Sequence, residues 1–361
     1  MRQTLWFASP GDPDLRTGGY LYNAAICARL GSHDFDVKAI RLPDAFPRPT
    51  KSDHVEAARL LGRVPSNDLL VVDGLAFGAV TADVLAAIRA PTVALVHHPL
   101  ADETGLAPEA IAAFEASERT SLAAAVGAIT SSPSTSATLV ARFGVPPRRI
   151  ATVIPGVEKP SVQPACGAGE EPLILSVGSL TRRKGHDVLL DALAQLLDRS
   201  WRAVIVGSPD LAPETARALE TKRAALGLVD RVTFAGTLET DALRQLYQSA
   251  DVFALATRHE GYGMVFSEAM VHGLPIVSCR VGAVPDTVPE EAGLLVPSED
   301  ATAFAMMLAR LLDHDALRAL KAAGAARVGA ALPDWDHAAL AFAAALKRFA
   351  RIRTSLAGVP T

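Results

Sequence analysis

Hydrophobic residues in this chain cluster in short continuous runs, separated by stretches of helical period. In the first half the runs are 3–9 (QTLWFAS), 35–41, 68–73, 92–97, 127–131 and 150–154. Between them, apolar residues recur at helical spacing over 20–30, 52–62, 78–89, 108–125 and 134–143. Runs such as LLVV and TVALV have no polar face, which predicts parallel strands covered by helices on both sides. The pattern breaks at 156–171, a stretch rich in Pro, Gly and Ala with no apolar period, which reads as a linker between domains. A second series starts at Pro172. Its strands are expected at LILSVG, AVIVG (203–207), RVTFAG (231–236), DVFALA (251–256), PIVSC (275–279) and GLLVP (293–297). Its helices are expected at 213–226, 240–249, 300–312 and 315–329, with one more at about 334–352. The fold class is therefore α/β in two similar halves, 1–155 and 172–333.

Composition changes little in this picture but removes several function classes. At ~100–200 residues per domain, 361 residues fit two domains. Half the residues are hydrophobic and the net charge is −4, so there is no electrostatic footprint for nucleic acid. Residues 1–150 hold 14 Lys and Arg against 15 Asp and Glu, which gives no basic excess for an anionic membrane. Cys27, Cys166 and Cys279 are scattered without CxxC spacing, so neither a disulfide framework nor a zinc site is expected. No apolar run reaches the ~18 residues of a membrane span. The chain enters its first strand without a charged-then-apolar leader, and a cytoplasmic location is expected.

Ligands of doubly wound sheets gather at the carboxyl ends of the strands. In the first half those ends carry Gly18-Gly19, Asp73, His97-His98 and Ser131-Ser132. A glycine pair at a helix entrance lets backbone N–H groups approach an anion, but the G-x-G-x-x-G dinucleotide fingerprint is missing. One of two successive histidines leaving a strand usually faces the ligand, where it can bond a hydroxyl at neutral pH. Asp73 and His98 are further candidates for contact with a ligand, whereas Ser131 and Ser132 before Pro133 read as helix caps. In the second half Arg182-Arg183-Lys184-Gly185 forms a basic loop between a strand and a helix, suited to phosphate oxygens. Arg258 to Gly273 (RHEGYGMVFSEAMVHG) sets Glu260 and Glu268 around a glycine-spaced turn and a helix start. The unpaired N–H groups and positive dipole of a helix start favour anions. Two carboxylates beside an anion cradle are what a sugar attached to a diphosphate requires.

These blocks also resemble a known family. VGSLTRRKGHDVLLDAL, VTFAGTLETDALRQLYQSADVFALAT, RHEGYGMVFSEAMVHGLPIVSCRVGAVPD and GLLVP resemble, in order and spacing, the C-terminal half of retaining glycosyltransferases of family 4. Glu260 and Glu268, with seven residues between them, match that family's paired-glutamate motif. GGYLYNAAICARL, VALVHHPL, AITSSPSTSATL and IATVIPGVE resemble the N-terminal half more loosely. The resemblance implies a GT-B fold, with two Rossmann-like domains facing each other across a cleft, a nucleotide-sugar donor held by the second and an acceptor by the first. It implies that the last helix, 334–352 with Trp335, returns to the first domain.

The implied roles follow residue by residue. Glu268 accepts from the ribose hydroxyls, and Glu260 lies near the donor sugar. Backbone amides of Gly261, Tyr262, Gly263, Met264 and Val265 hold the sugar and diphosphate. Lys184 neutralises the diphosphate as it leaves, His97 lies near the reacting centre, and Gly19 lies near the diphosphate. Gly236 and Thr237 border the base, and Asp73 and His98 become the acceptor-side candidates. Many family members carry an Arg where this chain has Ser179, so the second cation on the diphosphate falls to Arg183 or Arg182. Directly after AVIVG the loop has Ser208-Pro209, and an Asp comes only at Asp210.

The function implied is metal-independent transfer of a hexose from a UDP- or GDP-sugar to a small molecule or saccharide, with retention at the anomeric carbon. No metal and no other cofactor are expected. The rivals are a nucleotide-sugar-binding protein without turnover, a sugar-nucleotide epimerase of the same fold and a nicotinamide oxidoreductase. The last lacks both the glycine fingerprint and an acidic residue at the expected distance after it.

Overall fold

The computed structural model describes residues 2–11, 17–160 and 171–356, with side chains to residue 351. Most of the expected linker, residues 161–170, and with it Cys166, lies outside the described residues. Two compact units are present, Met1–Gly156 with Pro333–Thr361, and Val157–Leu332.

The first unit is built on six parallel strands. They are β1 (Gln3–Pro10), β2 (Phe35–Leu42), β3 (Leu69–Asp73), β4 (Thr92–Val96), β5 (Gly127–Thr130) and β6 (Ile150–Thr152), in spatial order β2-β1-β3-β4-β5-β6. Every residue of β3, β4 and β5 is buried, because helices cover both faces. Strand β2 lies at the edge and mixes buried with exposed positions, with Lys38 lying over the Trp6 ring. The strand order reverses between β1 and β3, so the crevice for a ligand opens at their carboxyl ends.

The final helix, Trp335–Leu356, belongs to this unit. Its apolar face seats Phe342 beside Tyr22, with ring centroids 6.4 Å apart, and buries Phe349 completely. Lys347 pairs with Asp34 at 2.9 Å and Asp336 with Arg29 at 3.0 Å. The two pairs are solvent-exposed and add little energy, so the apolar face is what holds the helix.

The second unit repeats the plan. Its strands are β7 (Leu173–Val177), β8 (Arg202–Val206), β9 (Val232–Gly236), β10 (Val252–Leu255), β11 (Ile276–Cys279) and β12 (Gly293–Val296), all parallel, in spatial order β12-β11-β10-β7-β8-β9. Counted from β7, this is the 3-2-1-4-5-6 order of dinucleotide-binding folds, and its switch point lies between β7 and β10.

Two local expectations are corrected. The helical stretch expected over 78–89 holds one shorter helix, Ala82–Ala87, starting after Thr81, and an unexpected helical turn, Gly74–Phe77, precedes it, capped by Asp73 directly at the strand end. The turn VGAVPD contains a single helical turn, Val284–Thr287, with Pro285 in its first positions, where a missing N–H costs nothing. Among the described residues no helix is long and apolar enough to cross a membrane.

Candidate active site

In the second unit, the loops after β7 and β10 meet at the switch point. The β7 loop turns through Arg182–Lys184 into the helix His186–Ala194. Gly185 makes the turn with φ +65°, and a Cβ there would collide with the Ala256 carbonyl oxygen. This close approach brings the β7 loop onto the end of β10. Arg183 O accepts from Arg258 N at 2.8 Å and lies 3.1 Å from Thr257 Oγ1. Arg258 donates to both Asp187 oxygens at 2.8 Å and also pairs with Glu299. It therefore clamps the two loops together and is a structural residue.

The clamp sets Lys184 against Glu260. Lys184 Nζ donates to Glu260 Oε1 at 2.7 Å, Thr257 Oγ1 donates to the same oxygen at 2.9 Å, and Arg183 Nη1 lies 3.6 Å from Oε2. Lys184 and Glu260 are both buried. Burial alone would raise the Glu260 carboxyl, but the Lys184 and Arg183 charges, with the hydrogen bonds from Lys184 and Thr257, hold it below its ordinary value. The site therefore keeps the Glu260 carboxylate ionised at neutral pH, with Lys184 and Arg183 against it. Arg183 adjoins Glu260, whereas Arg182 is exposed.

Glu268 is not part of this cluster. It sits on the helix Met264–Val271, where its Oε2 accepts from Tyr247 at 2.7 Å. Burial raises its carboxyl above the ordinary range. Tyr247 is fixed in turn between Phe253 and His272, stacked at 6.1 and 5.2 Å. Gly263 enters the helix at φ +85°, a conformation that side chains rarely adopt. Met264 and Val265, half-buried, form the first helical positions, whose N–H groups are the unpaired donors of a helix start. Tyr262 is buried and its hydroxyl bonds Ser267 at 3.0 Å, so its side chain packs inward while its neighbour Gly261 carries none. Ser179 lies in the β7 loop, and Gly236 and Thr237 close β9 two strands away.

The first unit builds a different cluster at its own switch point. Asp73, at the end of β3, caps the following helix, with Oδ1 accepting from Leu75 N at 2.8 Å. Its Oδ2 accepts from Asn23 Nδ2 at 2.6 Å, and Asn23 Oδ1 lies 3.2 Å from His97 Nε2. The His97 ring meets Tyr22 edge-on at 5.1 Å, and Gly19 leaves room for it, since a Cβ there would come within 3.2 Å of the ring. Burial lowers the His97 pKa, with Asp73 acting in the opposite sense and His98 in the same sense. His98 turns away from this group toward Glu103, at 3.6 Å.

The backbone behind the histidines is held firmly. Ser132 caps the helix Pro133–Ala141 as expected, but Ser131 donates to the His97 carbonyl at 3.1 Å instead of capping. Glu118, buried on the helix Pro108–Ala124, accepts from Leu100 N at 2.7 Å and Ala101 N at 3.3 Å. Burial pushes its carboxyl up to about 7. Among the described residues, no group of three or more His, Cys, Asp or Glu side chains is placed to hold a metal ion.

The structure thus joins Lys184, Arg183 and Glu260 in one unit, and His97, Asp73 and Gly19 in the other. Asn23, Thr257, Tyr247 and Glu118 were missed. Of these, Asn23 left a readable signal, a polar residue on the buried face of an otherwise apolar helix.

Comparison with known proteins fits this geometry. Residues 171–314 match the family model described as glycosyl transferases group 1, so the resemblance read from the sequence is borne out over that segment. The D-inositol 3-phosphate glycosyltransferase of Xylanimonas cellulosilytica is 34% identical over 230 residues, 58% of this chain and 55% of that protein. The one from Nocardia farcinica is 31% identical over 275 residues, 72% of this chain and 58% of that protein. The chain spans about half the length of these curated relatives. Sucrose-phosphate synthase from Thermosynechococcus elongatus aligns over 99% of this chain and 100% of its own at a TM-score of 0.81, with 24% identity. Anabaena HepE in complex with UDP-glucose aligns over 99% and 100% at 0.70, with 18% identity. The fold is GT-B, a pair of Rossmann-like domains.

Proposed function

We propose that this protein is a retaining glycosyltransferase that moves a hexose from a UDP- or GDP-sugar to a hydroxyl of a small molecule or saccharide, without a divalent metal. The observation that carries this reading is the buried Lys184, with Arg183 beside it, set against ionised Glu260 at a dinucleotide-type switch point. Breaking a sugar–diphosphate bond builds negative charge on the leaving phosphate. Lys184 and Arg183 meet that charge, aided by the helix-start amides from Gly261 to Val265. Glu260 keeps the two cations in place before the donor arrives and accepts from sugar hydroxyls afterwards. Glu268, oriented by Tyr247, accepts from the ribose hydroxyls. The base lies along Gly236 and Thr237, and Ser179 adds a small polar group to the phosphate loop. In the first unit His97 acts in the reaction, Gly19 leaves space beside it, and Asp73 and His98 serve the acceptor side. We place the reaction in the cytoplasm, which suits the free thiols Cys27 and Cys279.

Matches to a protein solved in complex with UDP-glucose and to proteins named for inositol phosphate put UDP-glucose first among donors to test, and a phosphorylated cyclitol first among acceptors. Thermal shift against a panel of nucleotide-sugars, followed by NMR of the product formed with an acceptor panel, tests the reading. The expected result is stabilisation by one donor and a product with the donor's anomeric configuration. Inversion, or an epimerised donor, contradicts it.

A further inference from the structure

We infer that Asp73 and Asn23 are positioning residues that fix His97 in the tautomer protonated on Nε2, so that its Nδ1 meets the substrate as a hydrogen-bond acceptor. Both oxygens of Asp73 accept, Oδ1 from the Leu75 amide at 2.8 Å and Oδ2 from Asn23 at 2.6 Å. A side-chain amide has two unlike ends, one donating and one accepting. At 2.6 Å from a carboxylate oxygen, only the Asn23 NH₂ end is tolerable. The carbonyl end must then point at His97 Nε2, 3.2 Å away, and a carbonyl only accepts. His97 Nε2 therefore carries the hydrogen. The Asp73 Oδ2 atom itself lies 3.9 Å from Nε2, which favours the same placement of the proton.

The ring has little freedom to reverse. Tyr22 contacts it edge-on, Gly19 allows its close approach, and the His97 carbonyl is held by Ser131 at 3.1 Å and Thr135 at 3.3 Å. The relay begins at a helix cap, so the dipeptide Asp73-Gly74 at a strand end sets a proton position on another strand. A neutral ring with a lone pair on Nδ1 receives a hydroxyl hydrogen and does not donate to a carbonyl or phosphate oxygen. The substrate group that His97 recognises is thus a hydroxyl of a sugar or polyol. That last step rests on the glycosyltransferase reading, whereas the tautomer stands or falls without it.

Two readouts test the relay. With histidine labelled in both ring nitrogens, two-dimensional NMR of the full chain reports which His97 nitrogen is protonated, the signals being identified by their loss in His97→Gln. The expected wild-type result is Nε2–H, with a mixture of tautomers in Asn23→Ala and a shift toward Nδ1–H in Asp73→Asn, which lets the Asn23 amide reverse. If wild-type His97 carries its hydrogen on Nδ1, or if both variants keep pure Nε2–H, the inference is wrong. In the kinetic test Asn23→Ala is expected to lower kcat by roughly 10- to 100-fold, the size of one hydrogen bond to a charged or reacting group, with donor KM nearly unchanged. A raised donor KM with unchanged kcat contradicts the role. Absence of any transfer in wild-type protein, with the tautomer as stated, removes the function proposed above but leaves the relay standing.

Discussion

The two switch points solve the same topological problem with opposite chemistry. In the second unit, buried Lys184 and Glu260 form an ion pair, flanked by Arg183 and Thr257. In the first, Asp73 holds a neutral amide, and the amide holds a histidine whose charge burial disfavours. With Arg183 3.6 Å from Glu260 as a second cation, Lys184 can turn to an incoming anion while Glu260 keeps a cationic neighbour. A neutral relay cannot do that, but it fixes a donor and an acceptor in space. On the proposed function, the contrast gives anion handling to the second unit and hydroxyl recognition to the first.

The largest effect expected is at Lys184. Lys184→Ala should lower turnover by on the order of 10²–10³, as loss of one preorganised donor to developing charge does. It also strands Glu260, and removing one partner of a buried pair costs about 3–5 kcal/mol of stability. Lys184→Met with Glu260→Gln separates the two effects. The double variant should recover thermal stability but not turnover, and recovered turnover in steady-state assays would erase the contrast between the units.

A smaller effect sharpens the role of the basic loop. Arg183→Ala should weaken nucleoside diphosphate binding roughly tenfold, and Arg182→Ala hardly at all, since only Arg183 adjoins Glu260. The reverse order in calorimetry would move the second cation to Arg182.

The smallest effect concerns pH. The folded Glu118 carboxyl, at about 7, holds a proton that the unfolded group, ordinarily at 4.5, releases. Its contribution to stability is fully present below 4.5 and is lost as pH rises through about 7. His186 behaves oppositely. Burial brings it from 6.5 to about 4, so its contribution is present above 6.5 and is lost as pH falls through about 4. Glu118→Gln should therefore make Tm rise more steeply with pH over this window. An unchanged Tm–pH profile would show that Glu118 does not titrate there.

Much of the second site was legible in the sequence. The basic loop and the glutamate-glycine turn lie on separate strand ends, and Rossmann topology brings such ends together. What spacing did not reveal was that Lys184 would bond Glu260 directly, since this depends on Gly185 letting the β7 loop approach Ala256. The first site was less legible. Asp73 and His97 stood out as polar strand ends, but Asn23 links them from a helix, and its partners are 50 and 74 residues away. Glu118 was hidden because an acidic residue in a helix usually faces solvent, and only the folded chain shows the two amides it accepts from. The helical turn Gly74–Phe77 escaped for a local reason, since the Asp73 cap at the strand end starts it.

The most direct test of the account is a calorimetric titration of wild-type protein and Lys184→Ala with UDP and GDP, the leaving groups themselves. The account predicts that one of them binds the wild-type chain in a single site, and that Lys184→Ala weakens it by roughly 10- to 100-fold, the size of a charge-assisted hydrogen bond. Binding of neither nucleotide, or equal affinity in both proteins, would contradict it.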